Sequence, residues 1–432
     1  MKCLIRAVMS CFMNKPSRSL LAVGVFCLFL PAVVRSQDSI GPVDRIKQGA
    51  PKVFIDCHQC DMEYIRTEIT FVNFVRDRKE ADVHVMITIQ WTGSGGREYT
   101  VAFIGLGPYF DIQNTAKYVS NQTDTSDDQR KGLVRVLKVG LVPYAAKTPV
   151  GDFLDVNFER RTVAGPVSDK WNYWVFNVSM SGSLSGESTQ DFSSLHGNVS
   201  ANRVTPQSKL RLGVSARHSS SYYDIDGEEV STYQDGRNFN GLYVFSLNDH
   251  WSVGSWLTMN MSTYNNIAFA VSPTPAVEYN YFPYSQSTRK QLRFLYRLGF
   301  DFNKYFKETI FGKEKESLLG QALSVTLEIK QPWGNVSASV QGSHYFHDLS
   351  LNRVEMWGWV NLHLLRGLSL SLSGEYSLVH DQISLPLEEA SYEEILLGKT
   401  MLATSYEYKM YVGLSYTFGS IFSNIVNPRF NR

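Results

Sequence analysis

The sequence of 432 residues predicts an α+β N-terminal domain followed by an all-β antiparallel transmembrane barrel. Two observations support this fold class. Helical and strand-like periods mix in residues 37–165, whereas a period of two holds through residues 168–420. The second region contains about 12 strand-length segments, and bacterial outer-membrane barrels have even numbers of strands.

Residues 1–36 have the three-part layout of a secretory signal peptide. Four basic residues and no acidic one precede an apolar stretch from Leu20 to Val34. That stretch is short of the roughly 20 residues that a transmembrane helix needs, so a membrane anchor is the less favoured alternative. We therefore expect the protein to be exported from the cytoplasm of a Gram-negative bacterium.

The mature chain has no basic excess. Removal of the leader takes five of the 42 Lys and Arg and none of the 41 Asp and Glu, which leaves a net charge of −4. This charge does not suggest nucleic acid as a partner. Only Cys57 and Cys60 remain after the leader, and two cysteines in an oxidising compartment normally form a disulfide.

Residues 37–165 show the order β-α-β-β-α of a small two-layer module. Residues 52–56 predict a strand, and Asp61 is a suitable N-cap for a helix whose apolar positions recur up to Val72. Residues 81–90 and 99–105 flank a glycine-rich turn and predict a hairpin.

A second helix is predicted after the polar residues 121–128, with apolar residues at a spacing of three. Residues 153–158 predict a last strand before a linker at Gly165-Pro166. We expect this domain to lie in the periplasm, tethered before the first barrel strand. The apolar positions of the second helix are Leu133, Val136, Val139 and Val142.

The sequence Cys57-His58-Gln59-Cys60 lies between a strand and a helix start, where a helix dipole lowers the pKa of a thiol. Two interpretations follow: a structural disulfide that fixes the helix start, or a thiol–disulfide exchanger. The structural interpretation is favoured. A thioredoxin-like domain needs a strand and a helix before this motif, and neither fits between Gln37 and Lys52. Zinc is less favoured, since no further histidine or cysteine lies nearby.

Residues 168–420 alternate apolar and polar side chains in strand after strand. Leu368, Leu370 and Leu372, for example, face opposite to the serines between them. A barrel of about 12 strands would have a lumen between the filled eight-stranded and the open 16-stranded cases. Bulky residues on the polar face are candidates for lining it, namely Arg211, Arg217, Arg353, Glu355, Trp357 and Trp359.

A secreted β-sandwich would alternate as well, so strand length and aromatic placement favour the barrel. Candidates such as residues 209–226 and 399–419 exceed the roughly 5 or 6 residues of a globular strand. Aromatic residues gather near strand ends, as in interfacial girdles. Short turns are expected at the periplasmic end, including residues 285–287. Long loops are expected opposite them at residues 308–316 and 384–398.

The last strand resembles the assembly signal that the barrel-assembly machinery recognises in outer-membrane proteins. Tyr411, Gly413, Tyr416 and Phe418 match its polar-x-Gly-x-x-aromatic-x-aromatic pattern. Many such proteins end at the final aromatic residue, whereas this chain continues through a tail at residues 421–432. We expect the tail either to fold back into the periplasm or to plug the inner mouth of the barrel.

The mature chain also resembles an uncharacterised family of Gram-negative outer-membrane β-barrel proteins with an N-terminal periplasmic α/β domain. The resemblance implies an exported domain joined to a barrel and brings no assigned activity. It rests on the segments Asp56-Cys-x-x-Cys-Asp61, Ile65-Arg-x-Glu68, Phe74-Val-Arg-Asp-Arg78, Thr92-Gly-Ser-Gly-Gly96, Lys330-Gln-Pro-Trp-Gly334 and Leu414-Ser-Tyr-x-Phe-Gly-Ser-Ile-Phe422.

No motif supports an enzyme, a cofactor or a metal site. His344 and His347 are three residues apart, hence on opposite faces of a strand, which disfavours a shared metal. No Gly-x-Ser-x-Gly elbow occurs. The acidic residues 224–229 lack the spacing of a calcium loop. We therefore expect no catalytic residue.

Two functions are favoured, and a barrel-borne enzyme or a periplasmic thiol–disulfide protein is a less favoured third alternative. In one, the protein is an envelope anchor or assembly factor whose periplasmic domain binds a protein partner. In the other, the barrel is a narrow channel for small solutes. The N-terminal domain favours the first function, because a wide non-specific pore would not need it. Outer-membrane lipid and the barrel-assembly machinery are expected partners in either case.

Overall fold

The computed structural model describes residues 49–57, 59–93, 95–155, 169–225, 228–387, 401–420 and 429. The predicted leader, the linker, most of the acidic segment at residues 384–398 and nearly all of the tail lie outside these residues. Within them, no helix has the length and apolar character needed to cross a membrane.

The N-terminal part contains a five-stranded mixed sheet in the order β2-β1-β3-β4-β5 and two helices. β1 is parallel to β2 and β3, and the remaining neighbours are antiparallel. Its elements are β1 (Lys52–Asp56), α1 (Met62–Glu68), β2 (Asn73–Phe74), β3 (Val83–Trp91), β4 (Arg97–Gly105), β5 (Gln113–Ser120) and α2 (Ser126–Ala145).

Both helices pack on the sheet through apolar side chains. Asp61 caps α1, as predicted, by accepting a hydrogen bond from the Tyr64 amide at 2.9 Å. The predicted apolar face of α2 is partly wrong, because Val139 is 70% exposed. A strict spacing of three drifts around a helix of 3.6 residues per turn. The residues that α2 buries are Leu133, Val134, Leu137, Gly140, Leu141, Tyr144 and Ala145.

Two details of this domain differ from the sequence prediction. β5 was not predicted, because its edge position leaves most of its side chains exposed and no apolar alternation marks it. The strand predicted at residues 153–158 is absent from its described part. Phe153 ends a short 3-10 helix, Pro149–Phe153, and residues 154 and 155 are not in a strand.

The C-terminal part is a sheet of 12 antiparallel strands in sequential order, which confirms the predicted class and strand number. Most strands are far longer than globular ones. They are β6 (Trp174–Glu187), β7 (Gln190–Val204), β8 (Ser208–Ile225), β9 (Glu228–Ser246), β10 (Trp251–Ser262), β11 (Ile267–Asn280), β12 (Lys290–Tyr305), β13 (Lys315–Gln331), β14 (Gly334–Tyr345), β15 (Asn352–Leu365), β16 (Leu368–Val379) and β17 (Tyr406–Tyr416).

The sheet is curved. A flat sheet would separate β7 from β17 by roughly 48 Å, at about 4.8 Å per strand. The α/β domain, roughly 35 Å across for its length, contacts Val204 at the end of β7 and Gly419 beyond β17. Within the described residues, no hydrogen-bonded ladder joins the two edge strands β6 and β17.

The connections differ partly from the predicted asymmetry. We call the end of the sheet that carries the β13–β14 and β15–β16 connections the turn end, and the opposite end the loop end. At the turn end, the β11–β12 connection is longer than residues 285–287, because it contains the 3-10 helix Tyr284–Gln286. At the loop end, β6–β7 and β8–β9 are tight hairpins, and the longer connections follow β12, β14 and β16.

Candidate functional site

The strand register separates the side chains of the sheet into an outward and an inward face. On the outward face, each of the 12 strands carries at least one exposed large apolar residue. One example from each strand, in order, is Val178, Val199, Val214, Tyr243, Val253, Phe269, Phe300, Leu323, Val340, Met356, Tyr376 and Val412.

The inward face contains all six side chains that the sequence proposed for it. Register places Trp359, Trp357, Glu355 and Arg353 opposite Ser337, Ser339, Gln341 and Ser343 of β14. Arg211 and Arg217 lie on the same face of β8 by alternation. That these residues line an open lumen stays a prediction.

Ionisable side chains form a network across the inward face. Arg297 donates to Gln341 two strands away, and Gln341 donates to Glu355 at 3.4 Å. Arg353 contacts both Glu355 at 3.3 Å and Asp381 at 2.9 Å. Side chains that skip a strand to meet indicate that this face is the concave one.

A separate pair, Arg293 and Glu328, lies on the same face with a distance of 3.0 Å between charged atoms. Sequence reasoning missed Arg293, Arg297 and Asp301. The signal was present, because these residues alternate along β12 with Phe294, Tyr296, Leu298, Phe300 and Phe302.

The loop-end half of the concave face contains a cavity of about 210 Å³. Its wall includes small residues of three adjacent strands, namely Gly299, Gly320, Ala322 and Ser343. Charged and aromatic side chains surround them, namely Arg297, Asp301, Asp381 and Tyr345.

At the turn end, the α/β domain is packed on the rim of the sheet. Glu80 pairs with Arg366, and Asp77 accepts a hydrogen bond from the backbone N–H of Gly367. Arg76 donates to the carbonyl oxygen of Gly419 at 2.9 Å. These contacts join residues 76–80 of the domain to the β15–β16 connection and to the segment that follows β17.

Gly93 provides a further contact with the rim. A Cβ atom added there would lie 2.3 Å from the Cβ of Val204, so the backbone of Gly93 touches that side chain directly. This position belongs to the β3–β4 turn that the sequence predicted from its glycines. The domain therefore contacts the rim at β7, near one edge of the sheet, and after β17, at the other edge.

Cys57 and Cys60 form a disulfide with a Cα–Cα distance of 5.7 Å, between β1 and α1. A cavity of about 190 Å³ lies beside Cys57, and its opposite wall is the inward face at Lys330, Asn335 and Trp359. The disulfide thus faces the turn end of the sheet. A redox role for it stays a hypothesis, and His58 lies outside the described residues.

His84 is completely buried beside this motif. Its Nε2 atom lies 3.7 Å from Asp56 Oδ2, and neither ring nitrogen has a hydrogen-bond partner among the described residues. Phe54 packs against the ring at 5.3 Å between centroids. These contacts give the imidazole a packing role in the core of the sheet.

The four residues of the predicted assembly signal lie on or just beyond β17. The Tyr411 ring covers Gly413, since an added Cβ at Gly413 would lie 2.9 Å from the tyrosine oxygen. Tyr416 ends β17, and its ring stacks on that of Phe418 at 5.6 Å. Recognition by assembly machinery stays a prediction.

The candidate metal ligands are not brought together. Among the described residues, no group of three or more His, Cys, Asp or Glu could hold a metal ion. His344 lies on the outward face of β14, where Gln321 contacts its Nε2 atom at 2.7 Å. His347 lies beyond the strand.

No family model and no curated protein matches this chain. Among solved structures, a NanC porin in a rhombohedral crystal form has 11% identity and a TM-score of 0.28, covering 56% of this chain and all of that one. CdiB from Acinetobacter baumannii has 8% identity and a TM-score of 0.26, covering 78% of this chain and 71% of that one. Similarities this distant transfer neither fold nor function.

Proposed function

We propose that this chain is an outer-membrane protein whose β-barrel anchors a periplasmic α/β domain at its inner mouth. The observation that carries the membrane location is the outward face, which exposes large apolar side chains on all 12 strands. Soluble monomers rarely expose contiguous apolar patches beyond a few hundred Å². Long strands with an apolar outer face are typical of membrane barrels.

The contacts at the turn end support the anchoring role. Glu80 and Asp77 bind the β15–β16 connection, and Arg76 binds the segment after β17. Gly93 packs on Val204. A domain fixed at the rim presents its remaining surface to the periplasm, where a protein partner would bind. The barrel-assembly machinery would insert the sheet into the membrane. The proposal includes no enzymatic step and no cofactor.

The membrane location is tested by a pair of neighbouring substitutions. Val214→Arg puts a charge on the outward face of β8, whereas Ser215→Arg puts it on the inward face. A charge facing lipid costs about 2–4 kcal/mol near the bilayer midplane. We expect Val214→Arg to reduce folding into lipid vesicles, measured as heat-modifiable gel migration, and Ser215→Arg to fold nearly normally. Equal folding of the two variants would contradict a lipid-facing outward side.

The anchoring role is tested in cell envelopes. Periplasmic proteins should co-purify with the full chain and be lost when residues 45–165 are deleted. The deleted protein must still fractionate with the outer membrane, which controls for failed insertion. A partner that stays bound to the barrel alone would contradict the proposal.

A narrow channel for small solutes is the second candidate. The observation that favours it is the charged network on the concave face, where Arg297, Gln341, Glu355 and Arg353 connect three strands. Such a lining is expected where water and solutes enter a barrel. Discrete conductance steps in a planar bilayer would support the channel. Their absence would leave the anchoring role as the remaining candidate.

A further inference from the structure

The cavity at the loop end of the concave face contains one arginine and one carboxylate of the same strand, and among the described residues neither forms a direct ion pair. Arg297 and Asp301 of β12 flank Gly299. Asp381, the other carboxylate on the wall, is already neutralised because Arg353 Nε donates to both of its oxygens at 2.9 and 3.0 Å. The cavity therefore offers a free positive end and a free negative end.

Arg297 has unused hydrogen-bonding capacity. Its terminal nitrogen donates to Gln341, which orients the guanidinium, whereas its buried Nε has no partner among the described residues. A buried N–H without an acceptor is costly, and a carboxylate is the strongest partner for a guanidinium. A ligand carboxylate in the cavity would satisfy this atom.

Asp301 provides the opposite charge. Ser272 of β11 donates a hydrogen bond to its carboxylate, which leaves further lone pairs for a ligand. A Cβ at Gly299 would lie 3.7 Å from Asp301 Oδ2, so the carboxylate leans over the glycine toward Arg297. The absence of a side chain at Gly299 leaves the space between the two charges open.

The dimensions fit a short zwitterion. Four residues of strand separate the Cα atoms of Arg297 and Asp301 by about 13 Å, and the two side chains bridge part of that length. A dipeptide spans about 7 Å. The cavity volume of about 210 Å³ lies below the roughly 300–1,000 Å³ of pockets for drug-sized ligands, which suits a solute as small as a dipeptide.

The geometry points to a binding site for small zwitterionic solutes of dipeptide size, with Arg297 binding the carboxylate and Asp301 the ammonium group. A simple anion would be repelled by Asp301, and a simple cation by Arg297. A solute with both charges at this spacing is attracted at both ends. Binding does not require the barrel to conduct.

The test uses the full chain folded in detergent and titrated calorimetrically with L-alanyl-L-alanine. Two capped probes serve as controls: N-acetyl-L-alanyl-L-alanine lacks the ammonium group, and L-alanyl-L-alanine amide lacks the carboxylate. We expect saturable binding of the zwitterion and at least about tenfold weaker binding of each capped peptide, because each loses one charge-assisted hydrogen bond.

Variants assign the two ends. Arg297→Gln should weaken zwitterion binding about tenfold and remove the preference over the amide, whereas Asp301→Asn should remove the preference over the acetylated peptide. Gly299→Leu keeps both charges but fills the cavity, so it should abolish binding of the zwitterion. Arg293→Gln is the matched control, since that arginine lies on the same face of β12 and pairs with Glu328 outside the cavity.

Equal affinity of the wild-type protein for all three peptides would overturn the proposal. Absence of saturable binding to protein whose gel migration shows it to be folded would do the same. Both results come from the wild-type chain, so they hold even if a variant fails to fold.

Discussion

At the scale of single residues, the start of α2 shows a complete capping box. The Thr125 hydroxyl accepts from the Asp128 amide at 3.1 Å, and the Asp128 carboxylate accepts from the Thr125 amide at 3.1 Å. Hydrogen bonds from Thr125 hold the pKa of Asp128 below its usual value of 3.8. This stabilisation is present above pH 3.8 and is lost as the pH falls through the lowered pKa.

The capping box leads to a prediction on stability. Thr125→Ala should lower the free energy of unfolding of the α/β domain by about 1 kcal/mol at neutral pH, because α2 loses its N-cap. The difference from wild type should shrink in acid, where Asp128 becomes protonated. The first calorimetric transition of the full chain measures this. Thr123→Ala, outside the box, is the control, and a similar loss there would refute the capping explanation.

At the scale of elements, β6 and β17 are the exposed edges of the described sheet. Unpaired backbone groups are too costly in hydrocarbon, so a spanning sheet must close. Both strands carry apolar side chains outward at even-numbered positions, from Phe176 to Leu184 and from Tyr408 to Tyr416. Antiparallel pairing of these edges keeps the outward faces continuous.

Edge closure predicts a specific cross-link. A cysteine replacing Val178 should form a disulfide with a cysteine replacing Val412 or Leu414 once the protein is folded in lipid. A cysteine replacing Ser179 faces inward and should not react with either partner, because neighbouring residues of a strand point to opposite faces. A gel shift reports the bond. Reaction of the Ser179 variant alone would show that the edges meet in a different register.

At the scale of the whole molecule, the position of the α/β domain depends on contacts far apart in the sequence. The bond between Asp77 and the Gly367 amide joins residues separated by 290 positions. The Glu80 side chain is only 18% exposed in its pair with Arg366. An exposed ion pair is worth up to about 1 kcal/mol, so this pair contributes modestly to the docking of the domain.

Charge reversal tests the docking. Position 93 has no room for a side chain, so cysteines replace the neighbouring Thr92 and Thr205. A short bis-maleimide should cross-link them in the folded chain, and the yield of this cross-link reports the docked state. Arg366→Glu should reduce the yield roughly fivefold, since it replaces an attraction of about 1 kcal/mol by a repulsion. Adding Glu80→Arg should restore it. If the double variant stays as low as the single one, the pair does not position the domain.

The sequence predicted the elements whose pattern is strong and missed those whose pattern is weak. The β3–β4 hairpin and the 12 long strands follow from the alternation of apolar and polar residues. This alternation can be read from the sequence without knowing what each strand packs against. β5 was missed because an exposed edge strand needs no apolar period. Val139 was placed on the wrong face, because residues spaced by three stay on the buried side of a helix for only about two turns.

The sequence by itself determined which way each strand side chain faces, because the two-residue period is a local property of extended backbone. This period placed Trp357 and Arg353 on one face. Separately, the short spacing between Cys57 and Cys60 predicted that they pair. Only the tertiary structure brought Asp381 to Arg353, Ser272 to Asp301, and the α/β domain to the turn end. Those contacts depend on how the sheet curves, and curvature is set by the packing of all 12 strands together.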